Sequence, residues 1–580
     1  MTAVHRSLTA RLVAVVSSCA LLASVAGAPR TVTAAGSYQR ISGEGSSWAA
    51  NAIDAMRVNV RQFGITVDYN PTGSTAGRKN FLNGTVDFAA SDIPFQFNPE
   101  DGSAPENPAP GSYAYIPVVA GGTAFMYNLR INGNRVTNLR LSGENVVKIF
   151  TGVITTWNDP AIQADNPGLV MPARTIVPVV RSDGSGSSGQ FTKWMIAMHG
   201  ALWNDYCERS GRAPACGETS FYPTIQGMIA QQGDLGVSGY VSQDFAEGAI
   251  GYVNYSYALG SQFPVAKVLN AAGYYTEPTP ENVAVSLLKA KINTNEADPS
   301  VYLTQQLEGV YTDTDPRSYQ LSSYSYLIVP TRVAGQFNLD KGKTLGAFAY
   351  YAMCQAQQQS ASLGYSPMPI NLVEASFDQI RKIPGVEVQD IDITQCDNPT
   401  FAADGSNLLA DNAPRPQECD KKGSVSQCPN GTGGLSNVPT DVVAAPVVTT
   451  PGGGSTPAGG STPAGGSTPA GGSTPAGGST VAGGSTPAGG GATGVDGVPT
   501  DGAVCDPDTG VCGGVTGGGL TGGGVSNGAA IGAISPTVLA QPAGWTSSIL
   551  QMLLLVGLTL ALIIVPALVW RRLARKEVAT

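Results

Sequence analysis

Residues 181–189 have the residue types and spacing of an anion-binding turn. The stretch reads Arg-Ser-Asp-Gly-Ser-Gly-Ser-Ser-Gly and joins an apolar segment, 176–180, which predicts a strand, to a segment, 190–198, which predicts a helix. The N–H groups at a helix N-terminus are unpaired and partly positive, and glycine lets the backbone approach a ligand closely. Arg181 adds a bidentate donor for an oxyanion. We therefore predict that this turn binds a small anion.

Two similar turns lie upstream of it. Residues 43–48, Gly-Glu-Gly-Ser-Ser-Trp, precede a predicted helix at 49–60. Residues 71–77, Pro-Thr-Gly-Ser-Thr-Ala-Gly, follow a predicted strand at 65–69 and open a short helix that ends near Leu82. A single turn of this kind is commonly an ordinary helix start, because serine is a favoured N-cap residue. Three such turns in one chain, one of them with an arginine, indicate convergence on one oxyanion.

A carboxylate, Asp92, follows a predicted strand at 86–90. The carboxyl ends of strands line the ligand sites of α/β sheets, although an aspartate there also serves as a turn cap. Catalysis has little support, because His5 lies near the N-terminus and His199 at the end of a predicted helix, so no Ser–His–Asp arrangement is indicated. We predict no catalytic residues, no metal site and no cofactor.

The charge of the chain restricts its partners. The formal net charge is −9, and binding to a nucleic-acid backbone needs a basic surface, so we predict no nucleic-acid partner. An acidic protein also does not attract anions from a distance. Local backbone dipoles and Arg181 therefore have to hold the predicted anion.

The two ends of the chain predict export and membrane attachment. Residues 1–35 combine Arg6 and Arg11 with an apolar run, which is typical of a secretory signal. Residues 549–570 carry no charge and are long enough to span a bilayer. The basic residues within 571–580 place that end in the cytoplasm and argue against the alternative, a buried core helix.

A low-complexity segment, residues 436–541, separates the body from this predicted membrane helix. Within it, Gly-Gly-Ser-Thr-Pro-Ala repeats between residues 453 and 488. Such a composition cannot bury a core, so we predict a disordered linker. A flexible coil of about 100 residues spans roughly 50–60 Å on average.

Eight cysteines lie beyond the signal region, and an even number in an exported chain is typical of disulfides. Their connectivity is not determined by the sequence, and pairing within the local groups is the simplest arrangement. That arrangement pairs Cys207 with Cys216, Cys419 with Cys428, and Cys505 with Cys512, and it leaves Cys354 to pair with Cys396.

The body of the chain, residues 36–435, alternates predicted strands with predicted helices. This alternation predicts an α/β fold with mainly parallel sheets. Roughly 400 residues are too many for one hydrophobic core, so we expect two lobes.

Six segments of the body occur in an order that is typical of one protein family. They are Gly-Glu-Gly-Ser-Ser-Trp (43–48), Thr-Gly-Ser-Thr-Ala-Gly (72–77), Thr-Val-Asp-Phe-Ala-Ala-Ser-Asp (85–92), Gly-Val-Ile-Thr-Thr-Trp-Asn-Asp (152–159), Arg-Ser-Asp-Gly-Ser-Gly-Ser (181–187) and Gly-Ala-Ile-Gly-Tyr-Val-Asn-Tyr (248–255). On these segments the chain resembles the PstS-type phosphate-binding proteins of high-affinity phosphate ABC transporters. Six ordered segments are a far more specific signal than any one turn.

The resemblance implies a set of phosphate-binding residues, position by position. Ser47 and Trp48 stand where the family has a Thr–Phe pair, and Ser187 stands where it often has Thr. The implied site residues are Ser47, Trp48, Ser74, Asp92, Arg181, Asp183, Ser185, Gly186 and Ser187. In this assignment Asp92 accepts a hydrogen bond from the proton on phosphate. Sulfate carries no such proton and would place an acceptor against an acceptor.

The resemblance also implies the domain layout. It implies a two-lobe fold of the type II periplasmic-binding-protein class, each lobe a mainly parallel sheet flanked by helices. Lobe one would comprise residues 36–119 and 256–386, and lobe two residues 120–255, with the ligand between them. The cysteine-containing tail, residues 387–435, is an addition to the family pattern.

The function implied is that of a receptor that delivers inorganic phosphate to an ABC permease and is tethered to the membrane by its C-terminal helix. A surface sensor or adhesin that uses the same binding domain without a permease is the alternative. A phosphatase on the same fold is a third possibility, disfavoured by the lack of a second usable histidine.

Overall fold

The structure is a computed structural model that describes residues 38–212, 216–396, 398–402 and 404–431. The predicted signal, linker, membrane helix and cytoplasmic end lie outside the described residues, as does the pair of Cys505 and Cys512. Within the described ranges, no helix has the length and apolar character needed to cross a bilayer.

Strands and helices alternate along much of the described chain, as the α/β prediction requires. The strands are β1 Ile41–Gly45, β2 Val67–Asn70, β3 Phe88–Ser91, β4 Tyr113–Tyr127, β5 Arg130–Ile131, β6 Asn134–Arg135, β7 Arg140–Leu141, β8 Val177–Arg181, β9 Ile229–Gln231, β10 Ala249–Asn254, β11 Lys267–Leu269, β12 Tyr275–Thr276, β13 Lys291–Ile292, β14 Gln305–Gln306 and β15 Ser322–Pro330. The α-helices are α1 Ala50–Asn59, α2 Ser74–Leu82, α3 Gly143–Phe150, α4 Pro160–Asp165, α5 Gly186–Arg209, α6 Gly233–Val241, α7 Tyr255–Ser261, α8 Pro280–Leu287, α9 Glu308–Tyr311, α10 Leu339–Met353, α11 Gln357–Ser360, α12 Ile370–Ile380 and α13 Leu408–Asp411.

The central element is one eight-stranded sheet with the order β2-β1-β3-β15-β4-β10-β8-β9. Its two ends are parallel, since β1 pairs in parallel with β2 and β3, and β8 with β10 and β9. Its centre is antiparallel, where β15 pairs with β3 and β4, and β10 with β4. The α/β class and the two lobes are confirmed. The parallel pairs at the two ends fit the expectation of mainly parallel sheets, and antiparallel pairs at the centre join them into one continuous sheet.

Strand β4 is the physical reason for this continuity. The sequence predicts separate strands at 113–119 and 123–129, but the chain stays extended and buried from Tyr113 to Tyr127. Its first part pairs with β15 as far as Gly122, and its second part pairs with β10 from Thr123 onwards. At Gly121 a Cβ atom would lie 2.8 Å from the Trp48 ring, so glycine permits close packing where the strand passes from one lobe to the other.

The lobe boundaries themselves stay predictions. The resemblance places the return of the chain to lobe one at residue 256. The strand pairing bears on this boundary. Strand β11 pairs with β7, which lies in the range predicted for lobe two, and β12 pairs with β11. This pairing favours a return to lobe one after β12.

Helix α5 is longer than expected. The sequence predicts a helix at 190–198, whereas the structure has helical residues from Gly186 to Arg209 with a kink at His199 (φ −144°, ψ 38°). The ring of His199 packs edge-on against Trp194 at a centroid distance of 5.4 Å. This contact makes His199 part of the packing of α5, and burial lowers its pKa.

Three of the four predicted disulfides fall among the described residues, and all three are confirmed: Cys207–Cys216, Cys354–Cys396 and Cys419–Cys428. Two of these disulfides include cysteines of the cysteine-containing tail. Cys354 follows α10 and holds Cys396 against the body, while Cys419 and Cys428 close a short loop within the tail.

The tail packs on both predicted lobes. In the lobe-one range, the Asn398 side chain donates to the carbonyl of Met368 at 2.9 Å, and Arg317 donates to the carbonyl of Ala410 at 2.9 Å. In the lobe-two range, the side chain of Asn138 donates to the carbonyl of Cys428 at 2.8 Å. The tail is therefore part of the folded body.

Asp420 links this tail to the body through two buried ion pairs. Its carboxylate pairs with Arg140 at 3.1 Å and with Lys267 at 2.8 Å, and the side chains of all three residues are less than a tenth exposed. Removing one partner of a buried ion pair leaves uncompensated charge. We expect Asp420→Ala to lower the free energy of unfolding by about 3 kcal/mol, measured as a reduced urea midpoint. Ala at the exposed Asp390 is the control, and an equal shift in both variants would contradict the prediction.

Candidate functional site

Each of the three predicted anion-binding turns precedes a helix in the structure. They lead into α1, α2 and α5. Helix α5 begins at Gly186 rather than at the predicted residue 190, because the Ser185 hydroxyl caps it by accepting from the N–H of Ser188 at 3.2 Å. The N–H groups of Gly186 and Ser187 therefore belong to the first turn, where N–H groups have no partner within the helix.

The starts of α2 and α5 meet, although more than 100 residues separate them in the sequence. The N–H of Thr75 donates to the carbonyl of Gly184 at 2.9 Å. A Cβ atom at Gly186 would lie 2.6 Å from Ser74 Oγ and 2.8 Å from Asp92 Oδ2, so only glycine allows this approach. Residues predicted for lobe one and for lobe two are thus in direct contact, as expected of a closed cleft.

Asp92 lies between these two helix starts, directly after β3. Its Oδ1 accepts from Ser46 Oγ at 2.6 Å, and its Oδ2 accepts from Ser74 Oγ at 3.2 Å. The carboxylate thus bonds to side-chain hydroxyls of two other turns, which favours the ligand-site interpretation over a local turn cap. Burial raises the pKa of Asp92 to about 6, against the opposing effect of hydrogen bonds from Ser46 and Ser325. Asp92 is therefore an ionised acceptor at neutral pH.

Arg181 is the last residue of β8 and is almost fully buried. Its Nε donates to Asp183 Oδ1 at 2.8 Å, and its Nη2 donates to Asp183 Oδ2. Its Nη1 donates to Ser187 Oγ at 3.1 Å and to Asp234 Oδ2 at 2.6 Å. Burial by itself lowers the pKa of Arg181, but Asp183 and Asp234 more than offset it and hold that pKa above its usual value. The guanidinium is therefore charged and held in a fixed orientation.

Tyr252 fixes the turn that carries Arg181. Its hydroxyl accepts from the backbone N–H of Arg181 at 3.3 Å and lies 2.6 Å from Ser188 Oγ. The ring packs against Phe191 and Phe150, with centroids 5.0 and 5.7 Å away. This aromatic packing couples the position of the predicted anion-binding turn to the core beneath it.

Ser47 and Trp48, at the end of the turn 43–48, make different kinds of contact. Ser47 Oγ donates to Asp234 Oδ2 at 2.6 Å and accepts from the Asp234 N–H at 3.0 Å. The indole of Trp48 instead donates to Thr123 Oγ1 at 3.2 Å and packs edge-on against Tyr365. The Trp48 side chain therefore packs at the strand that joins the lobes, so only its backbone N–H is available for the predicted role.

Three buried tyrosines hold the backbone of this turn. Tyr69, Tyr257 and Tyr365 donate their hydroxyls to the carbonyls of residues 46, 47 and 48 at 2.8, 2.7 and 2.6 Å, respectively. With its carbonyls occupied in this way, the turn is held in one conformation. The sequence analysis missed these tyrosines, because no local pattern links them to a turn up to 317 residues away.

The structure brings most of the predicted site residues into one contact network, which comprises Ser47, Ser74, Asp92, Arg181, Asp183, Ser185, Gly186 and Ser187. Sequence analysis missed Ser46, although it lies in the turn 43–48, and Asp234. Asp234 lies in the first turn of α6, which follows β9, so it repeats the strand–turn–helix pattern of the other turns. That pattern is the signal that points to Asp234. No group of His, Cys, Asp and Glu with metal-site geometry occurs in the part of the chain that the structure describes.

Comparison with known proteins assigns the family. A model of the PBP superfamily domain matches residues 30–356, which is more than half of the chain. The phosphate-binding protein PstS 2 of Mycobacterium tuberculosis is 32% identical over 312 residues, covering 53% of this chain and 76% of that relative. The phosphate-binding protein PstS of Haemophilus influenzae is 30% identical over 320 residues, covering 55% and 85%.

Among solved structures, a high-affinity periplasmic phosphate-binding protein bound with phosphate aligns with 61% of this chain and 100% of its own, at 18% identity and a TM-score of 0.45. The family assignment rests on the superfamily domain match and on the two PstS relatives. The chain belongs to the PstS family of phosphate-binding proteins, within the PBP superfamily.

Proposed function

We propose that this protein is an extracellular receptor that binds inorganic phosphate between its two lobes and delivers it to the permease subunits of an ABC transporter. One observation carries the proposal. The buried carboxylate of Asp92 lies between the starts of α2 and α5, where Ser74 contacts it and Gly186 approaches it closely. An acceptor among anion-binding donors suits an oxyanion that carries a proton.

The proposed contacts follow from the donors and the acceptor at this site. We expect N–H groups at the starts of α1, α2 and α5 to present partial positive charge to the ligand. Arg181 contributes full charge, and Asp183 keeps its guanidinium in place. Asp92 accepts the hydrogen bond from a protonated phosphate oxygen. Sulfate lacks that proton, and an unpaired buried acceptor costs about 1–3 kcal/mol or more when it is charged.

The proposed location follows from the ends of the chain. We propose that residues 1–35 direct export, that residues 549–570 span the membrane and that residues 571–580 lie in the cytoplasm. Residues 436–541 then act as a tether between the membrane and the folded body. The three disulfides of the body are typical of an exported protein.

Calorimetry on the full-length protein tests the ligand assignment. Titration with phosphate, sulfate, arsenate and molybdate should show tight binding of phosphate and of arsenate, which also carries a proton near neutral pH. Sulfate and molybdate should bind far more weakly. Equal binding of sulfate, or no binding of phosphate, would contradict the proposed function.

Phosphate uptake by cells distinguishes transport from a sensor role. Loss of the gene should slow uptake of labelled phosphate, and restoring it should recover uptake. Unchanged uptake would favour a sensor or adhesin that uses the same binding domain. Incubation with a phosphomonoester tests the phosphatase alternative, and release of phosphate above background would support that alternative.

A further inference from the structure

Asp234 is a second carboxylate at the proposed phosphate site, and it was not among the residues assigned by resemblance. It lies in the first turn of α6 and is fully buried. Its Oδ1 accepts from the backbone N–H of Asn254 at 2.7 Å. Its Oδ2 accepts from Arg181 Nη1 and from Ser47 Oγ, each at 2.6 Å. Asp234 thus links Ser47, in the turn 43–48, to Arg181, in the turn 181–189.

The same two donors are those proposed for phosphate. Ser47 has a single hydroxyl proton, which it donates to Asp234 in the structure. A phosphate oxygen that takes this proton or binds Arg181 Nη1 comes next to Asp234 Oδ2. Two acceptors in such contact repel each other unless a proton lies between them.

The charges around Asp234 strengthen this argument. Arg181 faces it from β8, while Asp183 and Asp92 add negative charge from neighbouring elements. Tyr257 and Tyr365 also face it, and burial raises the pKa of both, so they are neutral. Arg78, which donates to Ser91 beside Asp92, pairs with Glu106 at 2.7 Å. Three carboxylates, those of Asp234, Asp183 and Asp92, thus surround one guanidinium, that of Arg181.

We propose that Asp234 couples phosphate binding to the uptake of a proton, which is shared between Asp234 Oδ2 and a phosphate oxygen, so that the receptor binds phosphate more tightly as the pH falls. This inference rests on the proposed phosphate-binding function. The proton comes from solvent and returns to solvent on release, and no covalent bond changes. Asp92 accepts a hydrogen bond from the proton that phosphate already carries. The proton shared with Asp234 is an additional one.

The electrostatic environment of Asp234 supports the proposal. Burial raises the pKa of Asp234, and the opposing effects of Arg181 and of the Ser47 hydrogen bond do not cancel this shift. A second anion beside the carboxylate raises its proton affinity further. Phosphate entry therefore strengthens proton binding at Asp234, which is the sign that the coupling requires.

The experiment compares the native full-length protein with Asp234→Asn. Phosphate titrations in buffers of different ionisation enthalpy, from about pH 5.5 to about pH 8.5, give the number of protons taken up per phosphate. We expect the native protein to take up about one more proton per bound phosphate than Asp234→Asn does. As the pH increases, the phosphate Kd of the native protein should rise by up to about tenfold more per pH unit than that of the variant. The titration of free phosphate is common to both proteins and cancels in the comparison.

Asp244→Asn is the matched control, because Asp244 lies three residues after the end of α6 and its side chain is fully exposed. It should take up protons as the native protein does. Equal proton uptake by the native protein and Asp234→Asn would overturn the inference while leaving phosphate binding intact. Failure of the native protein to bind phosphate would instead overturn the proposed function. If Asp234→Asn does not fold, Asp234→Ser carries the same expectation.

Discussion

Replacing Arg181 with alanine is expected to lower phosphate affinity by at least tenfold. The guanidinium is the cation that contacts the carboxylates of the site, and it is almost fully buried. Its loss removes a charged donor and leaves Asp183 and Asp234 facing each other without compensation. Breaking a buried ion pair in this way typically costs about 3–5 kcal/mol, which is a factor of roughly 150 to 4,000 if it falls on binding.

Calorimetry with phosphate checks this prediction, together with a melting curve to show that the variant is folded. Arg174→Ala is the control, because Arg174 lies in the same predicted lobe but is about half exposed and pairs with Glu247 at the surface. Arg181→Lys tests whether positive charge alone supports binding, since lysine keeps the charge but lacks the planar, bidentate guanidinium. If Arg181→Ala binds phosphate within threefold of the native protein, the site has been assigned to the wrong residues.

Asp92→Asn is expected to weaken phosphate binding and to narrow the preference for phosphate over sulfate. The amide keeps one acceptor oxygen but adds an N–H₂ donor, so a sulfate oxygen meets a donor in place of a carboxylate. A hydrogen bond to a charged group contributes about 1.5–3 kcal/mol. We therefore expect the phosphate-to-sulfate affinity ratio to fall by roughly tenfold or more.

The pKa of Asp92 adds a pH dependence to this prediction. Burial raises it to about 6 in the ligand-free site, so the carboxylate is ionised above that pH and becomes a neutral donor below it. The native protein should lose selectivity against sulfate as the pH falls through about 6, and Asp92→Asn should show no such change. Asp390→Asn, at an exposed position, serves as the control. Unchanged discrimination between the two anions in Asp92→Asn would refute the role of Asp92.

Much of the site was predictable, because its elements are local. A Gly/Ser turn that opens a helix presents N–H groups wherever it lies in the fold, and three such turns were recognised from the sequence. Ser185 shows both the strength and the limit of this reasoning. Its role as a cap follows from its residue type, but the helix then begins four residues earlier than the hydrophobic pattern indicates.

Contacts between distant residues were not predictable in the same way. The hydroxyl of Tyr365 holds the carbonyl of Trp48, and nothing near either residue in the sequence indicates that pairing. The carboxylate of Asp234 meets Ser47 and Arg181 only because α6 packs beside β8 and β10. Such contacts depend on which elements become neighbours, and that is set by the packing of the whole body.

The sequence by itself determined the chemistry of each turn and the α/β class, because each depends on residue types close together in the chain. Only the tertiary structure decided that β4 runs unbroken through both lobes, that the tail packs on both of them and that Asp234 joins Asp92 at the site. These features depend on strand pairing and burial between residues far apart in the sequence, where the free energy comes from packing rather than from local preference.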